Sequence, residues 1–352
     1  MPDKVLITGG HGFIGTHLGR VLLSNGYKVV SYGRSNNSAP RFRNEKESSP
    51  AHQRVFAELG NSGQLADALA NCTTIFHKAA SCPSASIQND ESLFQANLVG
   101  TKALISTLSA NKTNLEHLIL DSSISVYGEG AYTCFTCGTV RPDLRDLKSV
   151  QRTSSFEPQC PKCSSQIQPT DTFETAALNG HSHYARSKAE QEFLLEEASK
   201  QLGFKLSIMR YATVYGANQS ERSTYGRLLR SITNGDGVYV NEDGNQKRDF
   251  IYIDDVIDAN LRVMSRTGTK NATFNIGSGK ETPLIDFITT AIELTPANSR
   301  RSAVEIKNTM SEGDIRHCKI SCEKASTELG FVAKVPLEQG LAKTLKEYSL
   351  SK

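Results

Sequence analysis

Residues 4–15 read K-V-L-I-T-G-G-H-G-F-I-G, and this stretch decides the fold. Lys4-Val5-Leu6-Ile7-Thr8 is an apolar run ended by two glycines, which predicts a buried strand. Residues 13–25 carry Phe13, Ile14, Leu18, Val21 and Leu22 at helical spacing. Between strand and helix, Gly9, Gly12 and Gly15 form G-x-x-G-x-x-G. Gly9 permits a tight turn, Gly12 lets backbone N–H groups approach a pyrophosphate, and Gly15 lets the helix pack closely on the strand. The positive end of the helix then faces the phosphates. A glycine motif alone is weak, but between a strand and a helix it predicts a dinucleotide site, with Phe13 and Ile14 among its contacts.

The same alternation continues outward. Residues 28–32, 73–77, 115–121 and 205–210 read as strands, and 90–110 and 181–202 as helices. Strands alternating with helices give an α/β class with a doubly wound parallel sheet, the Rossmann arrangement. Residues 129–170 break the rhythm and are rich in Cys, Pro, Ser and Thr, so they read as an insertion. From about 217 the elements are shorter and mixed. The expected organisation is a dinucleotide-binding domain over 1–216 and a smaller, partly interleaved substrate lobe over 217–352.

The chain has 352 residues, 38% hydrophobic and 22% charged, with a net charge of +3. These values suit a globular chain and give no argument for a nucleic-acid partner. No stretch approaches the length of apolar sequence that a membrane helix needs. Asp3 stands where a signal peptide would need a basic start. The expectation is a cytoplasmic protein with no membrane partner.

The end of the second strand bears on the cofactor. NAD enzymes place an acid there to bind the ribose hydroxyl. Here the residues are Ser31-Tyr32-Gly33-Arg34-Ser35, without an acid. Arg34 and Ser35 would suit a 2′-phosphate, so NADP is favoured over NAD.

Residues 184–188 read Y-A-R-S-K, which puts Tyr184 and Lys188 on one helix face. A tyrosine is a poor base at neutral pH, and a nearby ammonium stabilises its phenolate. Ser123, just past the strand read at 115–121, would hydrogen-bond the same substrate hydroxyl. Together with the glycine turn, these three residues are candidate catalytic groups.

The chain resembles an extended short-chain dehydrogenase/reductase of the NAD-dependent epimerase/dehydratase family. The supporting stretches are T-G-G-H-G-F-I-G (8–15), F-H-K-A-A (76–80), N-L-V-G-T (97–101), D-S-S-I-S-V-Y-G (121–128), Y-A-R-S-K (184–188), R-Y-A-T-V-Y-G (210–216), R-D-F-I-Y-I-D-D (248–255) and G-D-I-R (313–316). The resemblance implies hydride exchange at a sugar carbon of a nucleotide-diphosphate sugar. It makes Tyr184 the base, assisted by Ser123 and Lys188, and puts Asn97, Tyr184 and Lys188 near the cofactor. It also implies that Ser125, Arg248 and Arg316 meet the substrate, and that two long helices, 90–110 and 181–202, pair in a homodimer.

The chain also departs from the family pattern. Dehydratases of the family carry Asp-Glu after the strand-end hydroxyl residue, where this chain has Ile124 and Ser125. Neither side chain can perform the proton transfers of elimination, which leaves epimerisation or keto reduction. Asn61 replaces a common Asp near the adenine, Lys78 interrupts an apolar run, and Thr213 replaces a common Asn.

Of eight cysteines, four form Cys134-x-x-Cys137 and Cys160-x-x-Cys163. Four thiolates at this spacing predict a closed, structural Zn site rather than a catalytic one, with a disulfide pair or an iron site as the alternatives. Such a cross-link would order the insertion at the substrate mouth. Cys318 and Cys322 read as packed residues, and Cys82 as a small buried one. The order V-Y-G-E-G-x-Y-x-C, C-P-x-C, Y-A-x-S-K, G-D-I-R-H-C resembles a subgroup of nucleotide-sugar 4-epimerases. Two enzyme readings result: a nucleotide-sugar 4-epimerase, or an NADPH-dependent keto-sugar reductase. Retention of Ser123, Tyr184 and Lys188 argues against a non-catalytic binding protein.

Overall fold

A computed structural model describes residues 3–34, 50–81, 91–111, 113–145, 147–148, 150, 155–295, 302–310 and 314–350. Ser35 and Cys82 lie outside the described residues.

The central sheet has seven parallel strands. In spatial order they are β3 (His52–Phe56), β2 (Lys28–Gly33), β1 (Lys4–Thr8), β4 (Cys72–His77), β5 (His117–Ser123), β9 (Lys205–Tyr211) and β13 (Ala272–Ile276). Alternate residues of β1 face opposite sides. Val5 and Ile7 join a core with Leu18 and Leu22 of α1 (Phe13–Ser24) and Val256 of α6 (Ile253–Met264). Leu6 joins a second core with Leu65 of α2 (Ser62–Leu69), Leu104 of α3 (Glu91–Ala110) and Leu195 of α4 (His183–Leu202). The sheet is therefore covered on both faces, as its continuous apolar strands require.

Local signals set the ends of α4. The Ser182 side chain accepts from the Ala185 N–H, and Gly203 closes the helix at φ +81°. The strand β3 and helix α2 were not evident in the hydropathy pattern. β3 is an edge strand with no buried residue, so it carries no apolar period.

Most strands after β9 build smaller sheets, over the stretch expected to form the smaller lobe. β10 (Thr213–Tyr215), β12 (Lys247–Tyr252) and β14 (Glu281–Pro283) make one sheet, and β11 (Val238–Val240) pairs with β15 (Val304–Ile306). Their packing centres on aromatic rings, with Phe250 stacked on Phe287 at 4.0 Å. Leu229 and Ile232 of α5 (Thr224–Asn234) join the same core. β13 lies past residue 216 and yet completes the large sheet.

The insertion has structure of its own. β6 (Ala131–Cys134), β7 (Gly138–Val140) and β8 (Ile167–Thr170) form an antiparallel sheet in the order β7-β6-β8. Its small core is Tyr132, Cys134, Val140, Cys160 and Ile167.

Candidate active site and cysteine centre

The glycine turn has little room for side chains. Gly9 adopts φ +69°, and a Cβ there would lie 2.7 Å from the Lys78 carbonyl group. A Cβ on Gly15 would meet the Gly9 oxygen, and one on Gly12 would come within 3.1 Å of the same atom. Gly12 caps α1 with no side-chain hydrogen bond. Phe13 and Ile14 are half-buried on its first turn. This backbone cradle fits a dinucleotide pyrophosphate. Arg34 follows β2 and is exposed. Asn61 caps α2, accepting from the Gln64 N–H at 3.2 Å, a task Asp would also perform.

Asn97 on α3 is 2% exposed and fixes the chain after β4. Its amide accepts from the Ser81 N–H at 2.6 Å and donates to the Ser81 carbonyl at 3.1 Å and the Ser187 hydroxyl at 2.9 Å. His77 bridges Thr8 at 2.8 Å and Thr101 at 3.0 Å. Burial, followed by the charge of Lys188, pushes the His77 imidazole down to about 3.

Ser123 ends β5, where the chain turns into a short 3-10 segment over Ile124–Tyr127. Its oxygen accepts from the Ser125 N–H at 3.2 Å and the Ser125 hydroxyl at 2.9 Å. The Ser123 proton is thus left for another acceptor. Tyr184 lies half-buried on the first turn of α4, and Lys188 is 3% exposed one turn on. Lys188 Nζ donates to the Asp121 carbonyl at 2.8 Å, which ties α4 to the end of β5. A second tie comes from Glu192, which accepts from Ser122 and pairs with Arg210 at 2.6 Å. The Arg210 guanidinium also donates to the Tyr127 hydroxyl at 2.8 Å.

The four cysteine sulfurs lie within 4.8 Å of one another, and Cys134 Sγ is 3.6 Å from Cys163 Sγ. Tetrahedral thiolates around Zn at ~2.3 Å stand ~3.8 Å apart, so the donor set fits that ion. Positive φ at Gly138, +72°, and at Ser164, +60°, turns the chain back after each C-x-x-C pair. Cys318 is buried and Cys322 mostly so, and burial pushes both thiols up to about 12.

Arg316, which the family resemblance sends to a diphosphate, meets acids of both the insertion and the lobe. It is 1% exposed, and all five of its donors go to carboxylates. These belong to Glu157 of the insertion and to Glu242 and Asp243 of the lobe. A diphosphate would have to displace these acids within an already anionic cluster. Arg145 of the insertion reaches Glu242 at 2.9 Å, and Glu129 accepts from the Arg316 N–H at 2.8 Å and the Tyr132 hydroxyl at 3.0 Å. Arg248 donates to the carbonyls of Lys247, Ile315 and Arg316, which holds the same segment in place. Sequence reading missed this network because its acids are scattered along the chain without a motif.

Residues 5–277 match the family described as "NAD dependent epimerase/dehydratase family". The chain belongs to that family. A similar curated protein is the dTDP-L-rhamnose 4-epimerase of Burkholderia thailandensis, 27% identical, covering 96% of this chain and 93% of its own. The UDP-glucuronic acid 4-epimerase of Bacillus cereus, solved with UDP-glucuronic acid and NAD, is 22% identical with TM-score 0.80, covering 99% and 100% of the two chains. The UDP-glucose 4-epimerase of Thermus thermophilus, solved with NAD, is 21% identical with TM-score 0.74, covering 98% of each chain. Family membership bears out the α/β sheet and the dinucleotide fold expected from T-G-G-H-G-F-I-G. Among the described residues, no helix is long and apolar enough to cross a membrane.

Proposed function

We propose that the protein is a nucleotide-sugar 4-epimerase that works with a bound nicotinamide dinucleotide. The observation that supports this reading is the Lys188–Asp121 bond, which ties the helix carrying Tyr184 to the strand that ends at Ser123. Similarity to 4-epimerases over nearly the whole chain supports it. Ile124 and Ser125, in place of an acid and a base, argue against elimination.

The dinucleotide would accept and return a hydride at sugar C4. Gly9, Gly12 and Gly15 would hold its pyrophosphate, and Asn97 would set the loop beside it. Tyr184 takes the proton of the C4 hydroxyl, and the Lys188 ammonium stabilises the phenolate. Ser123 donates to the developing carbonyl oxygen, its own oxygen being satisfied by Ser125. Ser125 and Arg248 remain candidate substrate contacts.

The centre formed by Cys134, Cys137, Cys160 and Cys163 is proposed to hold a structural Zn, since four thiolates leave no open position. Its role would be to hold the insertion against the smaller lobe. A homodimer is proposed through α3 and α4, where Val99 is 58% and Phe193 56% exposed. The proposed setting is the cytoplasm.

One observation favours a second reading. Gly33 stands where an NAD-type acid would, and exposed Arg34 follows it, which suits NADPH and a keto-sugar reductase. The test is incubation with dTDP-, UDP- and GDP-sugars and their 4-keto forms, followed by NMR and absorbance. Inversion at C4 without net cofactor change supports the epimerase. Stoichiometric NADPH loss on a keto substrate supports the reductase.

A further inference from the structure

Lys78 interrupts an apolar run, yet its side chain is 2% exposed. Its ammonium donates to Asp121 Oδ1 at 2.6 Å and to Asn260 Oδ1 at 2.8 Å. The Tyr211 hydroxyl donates to the same Asp121 oxygen at 3.0 Å and accepts from Asn260 Nδ2 at 2.9 Å. Asn260 Nδ2 also donates to the Val256 carbonyl. The network is therefore closed. The main-chain oxygen of the same Asp121 receives the ammonium of Lys188 at 2.8 Å. One residue thus binds two lysines, one through its carboxylate and one through its carbonyl.

A buried ion pair adds little stability over an apolar pair of the same size. Lys78 and Asp121 therefore call for another reason to sit together beside the catalytic helix. We propose that Lys78 is a positioning residue for Lys188 and Tyr184: it fixes the end of β5 and neutralises Asp121, so that the Lys188 charge acts on the tyrosine. This rests on the reading of Tyr184 as the base. Without Lys78, the Asp121 carboxylate becomes an uncompensated buried charge next to the Lys188 anchor. It then competes for the ammonium and disfavours the phenolate. The other groups facing this strand end are accounted for. His77 of β4 is kept neutral, Tyr211 of β9 is bonded to Asp121, Asn260 of α6 does not titrate, and Glu192 of α4 is paired with Arg210.

The test is the pH profile of kcat, with thermal stability alongside, for wild type, Y184F, K78M, D121L and the K78M/D121L double variant. K78M is expected to raise the acid limb by about one pH unit or more, and D121L to lower it. The double variant should return close to wild type. D121L compared with the double variant gives the answer even when K78M does not fold. A Y184F enzyme with full activity would sink the underlying assignment of the base. Inactive Y184F together with identical acid limbs in the folded variants, whatever their melting temperatures, would overturn the positioning role of Lys78 alone.

Discussion

Arg316 and Glu242 stand 2.7 Å apart with side chains 1% and 2% exposed, and Arg316 also pairs at 2.6 Å with Glu157 of the cysteine-bearing insertion. Removing the cation leaves buried Glu242 to Arg145 alone and Asp243 and Glu157 facing each other's charge. Arg316→Met should therefore lose about 3–5 kcal/mol of stability, as breaking a buried pair does. Denaturant titration measures it. A variant with native stability but weakened nucleotide-sugar binding would instead support a diphosphate role for Arg316.

That network also shows where sequence reading stops. The turn at Gly9–Gly15, the strand before it and the helix after it are local, because each residue's task depends on near neighbours. The Tyr184–Lys188 pair is legible for the same reason, one helical turn apart. Glu129, Glu157, Glu242 and Arg316 meet only through the tertiary fold, and no spacing along the chain announces them. Lys78 was visible as an irregularity, but its partner Asp121 is 43 residues away on another strand.

Tyr184→Phe removes the proton acceptor and leaves the ring in place. It should lower kcat by about 10²–10⁴-fold with little change in melting temperature, because general-base contributions fall in that range. Lys188→Met should also lower kcat, and it should unfasten α4 from Asp121 as well, so its melting temperature should drop. Steady-state kinetics paired with thermal denaturation separates the two. Equal melting temperatures for both variants would count against the anchoring role of Lys188.

The cysteine centre predicts bound metal in the purified protein, one ion per chain. Elemental analysis of protein kept free of added metal reads this directly. Cys134→Ser with Cys137→Ser should abolish the metal signal and lower the melting temperature. The small core around Tyr132 and Val140 has few apolar groups to hold it otherwise. Because Tyr132 bonds Glu129, which accepts from the Arg316 N–H, and the Arg316 carbonyl holds the candidate substrate contact Arg248, loss of metal should also raise KM for the nucleotide sugar more than it lowers kcat. Absence of metal in freshly prepared wild type would defeat this prediction.

Two buried histidines add to the acid sensitivity of the fold, beside His11 and His17, whose imidazoles burial also pushes down. Burial pushes His77 down to about 3, with Lys188 adding to it, and burial pushes His117 down to about 3, with Lys205 and Arg266 adding to it. Both are neutral in the folded protein at neutral pH. The unfolded chain takes up protons on them below about pH 6.5, while the folded protein does so only near about pH 3. Proton uptake then favours the unfolded state, so stability falls as pH drops from about 6.5. The expected slope is about 1.4 kcal/mol per pH unit for each histidine. Chemical denaturation between about pH 6.5 and about pH 5 measures it in the range where most carboxylates stay ionised. His117→Gln keeps a side chain able to reach the Ser207 hydroxyl and should reduce the slope by about 1.4 kcal/mol per pH unit, the share of one such group. A slope unchanged in that variant would mean that His117 takes up its proton in the folded state.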